Sequence, residues 1–185
     1  MGKKERKMGL RASDTRELVF QNAKVLKSQL LGHAGEGFKI AMSLLDSGRI
    51  GIAAQSVGIG RAALEEAVAY AKERKQFGKT LSSFQLTQAK IADMATNLDA
   101  ARLLVYRAAS LLARGEKCTK EASMAKSFAS RAANKACYDA LQIHGGNGYV
   151  REFPVERYFR DVRVTEIYEG TTEVQSLIIA REVLG

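Results

Sequence analysis

The sequence predicts a mainly α protein, an up-down helical bundle with a short β-rich N-terminal stub, and three observations carry that expectation. One proline and no tryptophan occur in 185 residues that are 46% hydrophobic and 26% charged, so little interrupts a helix and one ordinary core is within reach. Apolar residues recur at three- and four-residue spacing over most of the chain after Gly37, which is the helical period. Glycines and short polar loops close these runs, as expected between antiparallel helices. The two cysteines, Cys118 and Cys137, provide neither a disulfide framework nor a cysteine zinc cage. No apolar run reaches the roughly 18 residues of a membrane span. The basic start, Met1 to Lys7, has no apolar core behind it as a signal peptide would. A soluble, intracellular protein with no membrane contact is therefore expected.

Residues 1–35 differ from the rest. Leu18-Val19-Phe20 and the Val25-Leu26 region predict short strands, punctuated by the turn formers Ser13-Asp14 and Gln21-Asn22. Two strands are marginal in water on their own, so the stretch is either the tail of a β domain or a basic leader without fixed structure. From Gly37 to about Gln76 a long helix is expected. Its buried stripe would be Phe38, Ala41, Leu44, Leu45, Ile52, Ala53, Val57, Leu64, Val68 and Ala71. Gly48, Gly51, Gly58 and Gly60 weaken this helix by about 1 kcal/mol each against alanine where exposed, and they predict close approach by a neighbouring helix or a ligand.

A loop of Phe77-Gly78-Lys79-Thr80 follows. Ser82-Ser83-Phe84-Gln85 fits a capping box, with Ser82 as N-cap and Gln85 reaching back. The second helix would run to about Ala113 and stop at Gly115, burying Ala89, Ala92, Ala95, Leu98, Ala101, Leu104, Ala108 and Leu111. A third runs from Thr119 to Ile143 and ends at Gly145-Gly146. A short helix begins at Pro154, and a last one follows Thr171 with Val174, Leu177, Ile178 and Ala180 as its apolar side.

Several apparent motifs lack the scaffold that their chemistry needs. Gly58-Ile59-Gly60-Arg61-Ala62-Ala63 spells a dinucleotide fingerprint but lies inside a helix with no strand before it. Gly78-Lys79-Thr80 resembles the end of a phosphate loop, yet the first glycine of that motif would fall on Glu73. His33 and His144 are the only histidines, and neither forms the pairs of a di-iron carboxylate bundle or a hydrolase triad. The 29 basic residues against 20 acidic ones leave a net charge of +9. Without interleaved aromatics or a reading module, that charge suits an anionic small ligand or a solvated face better than nucleic acid.

The chemistry concentrates between Arg160 and Gln175. Glu169 stands between Tyr168 and Gly170, just before the expected N-cap Thr171. A carboxylate there can project from a loop, Gly170 lets a ligand come close, and free N–H groups at the helix start can hold a polar head group. By pattern alone Glu169 better suits a residue that satisfies the helix dipole.

Ile167-Tyr168-Glu169-Gly170-Thr171-Thr172-Glu173 closely resembles the signature of the acyl-CoA dehydrogenases, notably the short- and medium-chain, butyryl-CoA type branch. Leu45 to Ile50, Ala71 to Gly78 and Gln142 to Tyr149 are also similar to family motifs, in the family's order. The resemblance implies two parts: residues 1–35 as a remnant of the middle β domain, and residues 36–185 as the C-terminal helical-bundle domain. It also implies FAD as cofactor and an acyl-CoA substrate. Glu169 would be the base that takes the α-proton while the β-hydrogen leaves as hydride. The product is the trans-2-enoyl-CoA, an oxidoreductase step of fatty acid β-oxidation.

Carried over position by position, Arg74, Phe77 and Gln85 match residues that hold FAD, and the loop Gln142, Ile143, His144, Gly145, Gly146 matches one that receives the FAD of a neighbouring subunit. Thr171, Thr172 and Glu173 match contacts on the flavin side, although the family usually has serine where Thr172 stands. Asp46, Ser47, Gly48 and Arg49, with Tyr168 and Gly170, match the acyl-CoA site. A second branch of the family places its base at the position of Gly48, which cannot act as one, and this favours Glu169. The resemblance further implies a homo-oligomer, dimer or tetramer, through the helical domain. An electron-transfer flavoprotein would be the electron acceptor, and the location cytoplasmic in a bacterium or the mitochondrial matrix in a eukaryote. Family members carry an N-terminal helical domain and a full middle domain before this point, so the chain alone is expected to be inactive. The alternative is a non-catalytic helical oligomerisation module derived from the family.

Overall fold

Five α-helices and one minimal hairpin account for the regular structure in a computed structural model that describes residues 1–185. The helices are α1 (Gly37–Glu73), α2 (Gln85–Ala113), α3 (Thr119–His144), α4 (Val155–Val162) and α5 (Thr172–Leu184). At 1.5 Å per residue α1 is about 55 Å long, and α3 lies along it, with α2 completing a three-helix core. Short helices α4 and α5 both pack on α3, which is thus the hub.

Small residues make this close packing possible. On α3, Ala122, Ala125, Ala129, Ala133, Ala136 and Ala140 are buried at three- and four-residue steps, and on α1 the matching stripe is Ala53, Ser56, Gly60, Ala63, Ala67 and Ala71. A Cβ on Gly60 would stand 2.4 Å from Leu98 Cδ2 and 3.3 Å from the Ala133 backbone, so the three long helices meet at a point where only hydrogen fits. Gly51 and Gly58 are approached by no other helix of this chain.

The predicted faces of the helices need correcting. Ala89, Ala92 and Ala95 of α2 are exposed; the buried row is Met94, Leu98, Ala101, Val105 and Ala108. Alanine is a weak marker of burial, and the larger Met94 and Val105 decide the face. In the first turns of α1, Phe38 and Leu44 are exposed, and on α5 Leu177 is 71% exposed while the buried residues are Thr172 and Gln175. The Ser82–Gln85 capping box does not form. Ser82 lies in a 3-10 turn, Leu81–Ser83, where its hydroxyl meets Thr80, and α2 begins at Gln85 behind Phe84. Thr171 does cap α5, accepting from Val174 N at 3.4 Å.

The β-rich stub is absent from residues 1–35: neither Leu18–Phe20 nor Val25–Leu26 is a strand, and these side chains are exposed. An extended segment with no sheet beside it leaves its backbone groups unpaired. What forms there is a turn in which Gly2 N and Glu5 N donate to the Glu17 and Thr15 carbonyls. It is docked on α4 through Leu10 N to Asp161 (2.7 Å) and Arg160 to the Met8 carbonyl (3.1 Å). The β pairing lies instead where a loop was expected, in the antiparallel pair β1 (Lys75–Gln76) and β2 (Lys79–Thr80). No helix is long and apolar enough to cross a membrane.

Candidate functional site

Glu169 has φ +54 and Gly170 φ +89, two successive left-handed residues between the 3-10 turn Arg163–Glu166 and the start of α5. For glycine this is free; for glutamate such a conformation costs about 1–3 kcal/mol and persists only where surroundings enforce it. The result turns the Glu169 side chain back onto α1, where a Cβ placed on Gly48 would lie 2.5 Å from Glu169 Oε2. The carboxylate is half-buried against α1 and makes no ion pair or hydrogen bond within the chain.

Three side chains brace this turn. Lys126 of α3, with no exposed surface, donates from Nζ to the Gly170 carbonyl at 2.6 Å. Gln175 of α5, equally buried, donates from Nε2 to the carbonyls of Gly170 (3.0 Å) and Glu169 (3.2 Å). The Tyr168 hydroxyl donates to Gln55 Oε1 on α1, and burial raises its pKa above the usual phenol value. Burial also lowers the Lys126 ammonium to about 8, against the pull of Glu166, Glu169 and Glu173 and with the push of Arg49.

The neighbouring residues divide between structure and availability. Asp46 accepts from Arg49 (2.8 Å) and from Thr119 Oγ1 (2.7 Å), which ties α1 to the start of α3. Arg49 is buried, and its Nε lacks a partner. The Ser47 hydroxyl donates to the Leu44 carbonyl within its own helix. Thr172 is buried, with its hydroxyl 3.4 Å from the Glu166 carbonyl. Glu173 is exposed, and hydrogen bonds from its own backbone N–H and from Thr171 hold its pKa below the usual carboxylate value.

The opposite end of α1 gathers a second set. Arg74 follows the last helical turn, and with Tyr70, Gln76, Leu81, His144, Gly145, Gly146 and Asn147 it lines a groove of about 350 Å³. Tyr70 and His144 stack at 4.2 Å, and Asn147 donates to the Tyr70 hydroxyl at 2.9 Å. His144 Nδ1 lies 2.8 Å from the Ala140 carbonyl. Ile143 and His144 are buried and form the floor, while Gln142, Gly145 and Gly146 are exposed. Phe77, at φ +51 on the hairpin tip, is 92% exposed, with its ring edge-on to Phe84. Gln85 is exposed at the first turn of α2. This donor set, an exposed guanidinium with a glycine turn and carboxamides, fits a diphosphate.

From Gly48 to Arg74 is about 40 Å along α1 at 1.5 Å per residue. The predicted residues thus form two clusters, and no side chain of one reaches the other. Lys126, Gln175, Gln55, Tyr70 and Thr119 were not singled out in the sequence. For Lys126 a signal existed: it is the one charged residue in the small-residue stripe Ala122-Ala125-Ala129-Ala133, within reach of the same face.

Residues 35–184 match the family model described as acyl-CoA dehydrogenase, C-terminal domain. An acyl-CoA dehydrogenase of Bacillus subtilis (strain 168) is 60% identical over 185 residues, 100% of this chain and 49% of that protein. The caffeyl-CoA reductase-Etf complex subunit CarC of Acetobacterium woodii is 53% identical over 184 residues, covering 100% of this chain and 48% of that protein. Butyryl-CoA dehydrogenase from Megasphaera elsdenii superposes with a TM-score of 0.98 at 51% identity, over 100% of this chain and 48% of that one. The chain spans about half the length of the relatives it matches.

Proposed function

The chain belongs to the acyl-CoA dehydrogenase family, and on that premise we propose that Glu169 is the base that takes the α-proton of an acyl-CoA thioester in an FAD-dependent enzyme. The observation that carries the proposal is the unpaired Glu169 carboxylate, set by a left-handed backbone over the bare Gly48. A carboxylate kept only for the helix dipole would need neither the strained backbone nor the space above a glycine.

The proton beside a thioester carbonyl is weakly acidic, so negative charge on that oxygen must be stabilised as the proton leaves. A fixed backbone N–H does this without reorganising, and the N–H of Glu169 is held in place by the same turn that aims the carboxylate. Bound FAD supplies the acceptor for the hydride that leaves the β-carbon, giving the trans-2-enoyl-CoA. Gly170 would meet the substrate through its backbone, its side-chain direction being taken up by Gln175, and Asp46, Ser47 and Arg49 form the adjoining wall on α1. Tyr168 braces the loop against Gln55.

Arg74, Phe77 and Gln85, with Gln142 to Gly146, would grip the diphosphate and adenosine part of FAD, while Thr171, Thr172 and Glu173 would face the flavin. Because the two clusters are about 40 Å apart on α1, one dinucleotide cannot use both in a single chain. The Arg74 groove therefore serves the FAD of a second copy, so the enzyme is a homo-oligomer. Residues 1–35, docked on α4, would be a remnant of the middle β domain, and residues 36–185 the C-terminal helical-bundle domain. The whole enzyme passes its electrons to an electron-transfer flavoprotein, in keeping with the Etf complex named for one relative.

Replacing Glu169→Gln in the complete enzyme tests the assignment. Flavin absorbance is expected to stay and turnover to vanish. Retained turnover would exclude Glu169 as the base.

A further inference from the structure

We propose that Lys126 and Gln175 form a latch that holds the Glu169-Gly170 turn in its left-handed form, making both positioning residues for the reaction. The inference rests on Glu169 being the base, as proposed above, but its first observation is independent of that role. A glutamate at φ +54 followed by a residue at φ +89 relaxes unless something holds the chain. The only side-chain hydrogen bonds to the backbone of these two residues come from Lys126 and Gln175.

The two donors act from different helices. Lys126 reaches up from α3, the hub of the bundle, and Gln175 reaches back from the second turn of α5. Between them they occupy both carbonyls of the turn, with three hydrogen bonds of 2.6–3.2 Å. Both side chains have no exposed surface, so water does not replace either donor. A Cβ on Gly170 would lie 2.5 Å from Gln175 Nε2, so the latch also fills the space that a larger residue would need.

A purely structural purpose fits poorly. A buried ammonium is costly to desolvate, and a methionine would fill the same volume in an alanine-lined helix contact without that cost. Two buried donors on one solvent-edge turn make sense where the direction of the next side chain matters. Around Lys126 the charged groups are Arg49 of α1, Glu166 of the preceding 3-10 turn, Glu169 itself and Glu173 of α5. The acidic groups favour its charged form, which strengthens the bond to the Gly170 carbonyl.

The test uses Lys126→Met, Lys126→Gln and Gln175→Met in the complete, flavin-loaded enzyme, with Glu169→Gln beside them. Lys126→Met and Gln175→Met are expected to lower kcat about 10- to 100-fold, the scale of a misplacement near 1 Å, with KM changed less than about threefold. Lys126→Gln keeps a donor and is expected to lose less. Amide hydrogen exchange at residues 169–172 should speed up in both methionine variants while α1 and α3 keep their protection. If Lys126→Met does not fold, Lys126→Gln and Gln175→Met decide by the same readouts. Unchanged kcat and unchanged exchange at the turn, with Glu169→Gln inactive, would overturn the latch. If Glu169→Gln stays active, the base assignment fails instead, and the latch stands or falls on the exchange alone.

Discussion

At the Gly48 end of α1, the groups that act on the backbone are fully buried and the carboxylate they aim is left without a partner. At the Arg74 end, the guanidinium, Gln76, Gly145 and Gly146 stand in solvent around an open groove, with the stacked Tyr70 and His144 and the buried Ile143 packed beneath them. The contrast follows from what each end is proposed to do. A base must meet one C–H bond in one direction, and tolerance is small. A diphosphate is held by charge and by several donors, each of which can adjust. Rigid burial therefore belongs to the first end, and exposed charge to the second.

The largest effect should come from the buried end. Glu169→Gln is expected to cut turnover by about 10²- to 10⁴-fold, with flavin content unchanged by absorbance. The next should come from Gly48→Ala, whose added methyl meets the Glu169 carboxylate. A fall of about tenfold or more in kcat is expected, as for other displaced catalytic groups, measured with far-UV circular dichroism to show that the fold survives. The open end should respond in another currency: Arg74→Ala is expected to weaken FAD binding by about 10- to 100-fold, from loss of a charge-assisted contact, with kcat at saturating FAD nearly kept. Should Arg74→Ala instead depress kcat at saturation, the two ends would not be separate.

The smallest effect is a pH slope. Lys126 loses its proton near pH 8 in the folded chain, against about 10.4 for an ordinary lysine. Between these values the unfolded chain holds a proton that the folded one lacks, so stability rises with pH across that window. Denaturant melts from pH 7.5 to 10.5 should therefore show the wild type gaining on Lys126→Met as pH rises. A flat difference would mean that the ammonium is not desolvated as its burial implies.

The long helices could be read from the sequence because glycine and proline punctuate them and the period is clear. α1 and α3 end within a few residues of expectation. Their faces were harder, since alanine marks both the tight seam and the solvent side, and Ala92 and Ala101 look alike until Leu98 and Val105 are placed. The strands expected at Leu18 and Val25 failed because strand formation depends on a neighbour that this chain does not provide. The motif residues were found as letters. Their sorting into two ends was not, because it depends on the length of α1. Lys126 and Gln175 escaped notice because their role appears only when α3 and α5 converge on one turn.

The contact between Gly48 and Glu169 also bears on how such a site can change over generations. A Cβ at 48 would meet the tip of the Glu169 side chain, so a side chain added at 48 pushes the carboxylate at 169 aside. With Glu169 as the proposed base, moving it from the loop to the helix would require both codons to change, and either change alone leaves the site crowded or without a base. Such a move would pass through a poorer intermediate, and the missing methyl group at 48 helps to keep the carboxylate on the loop.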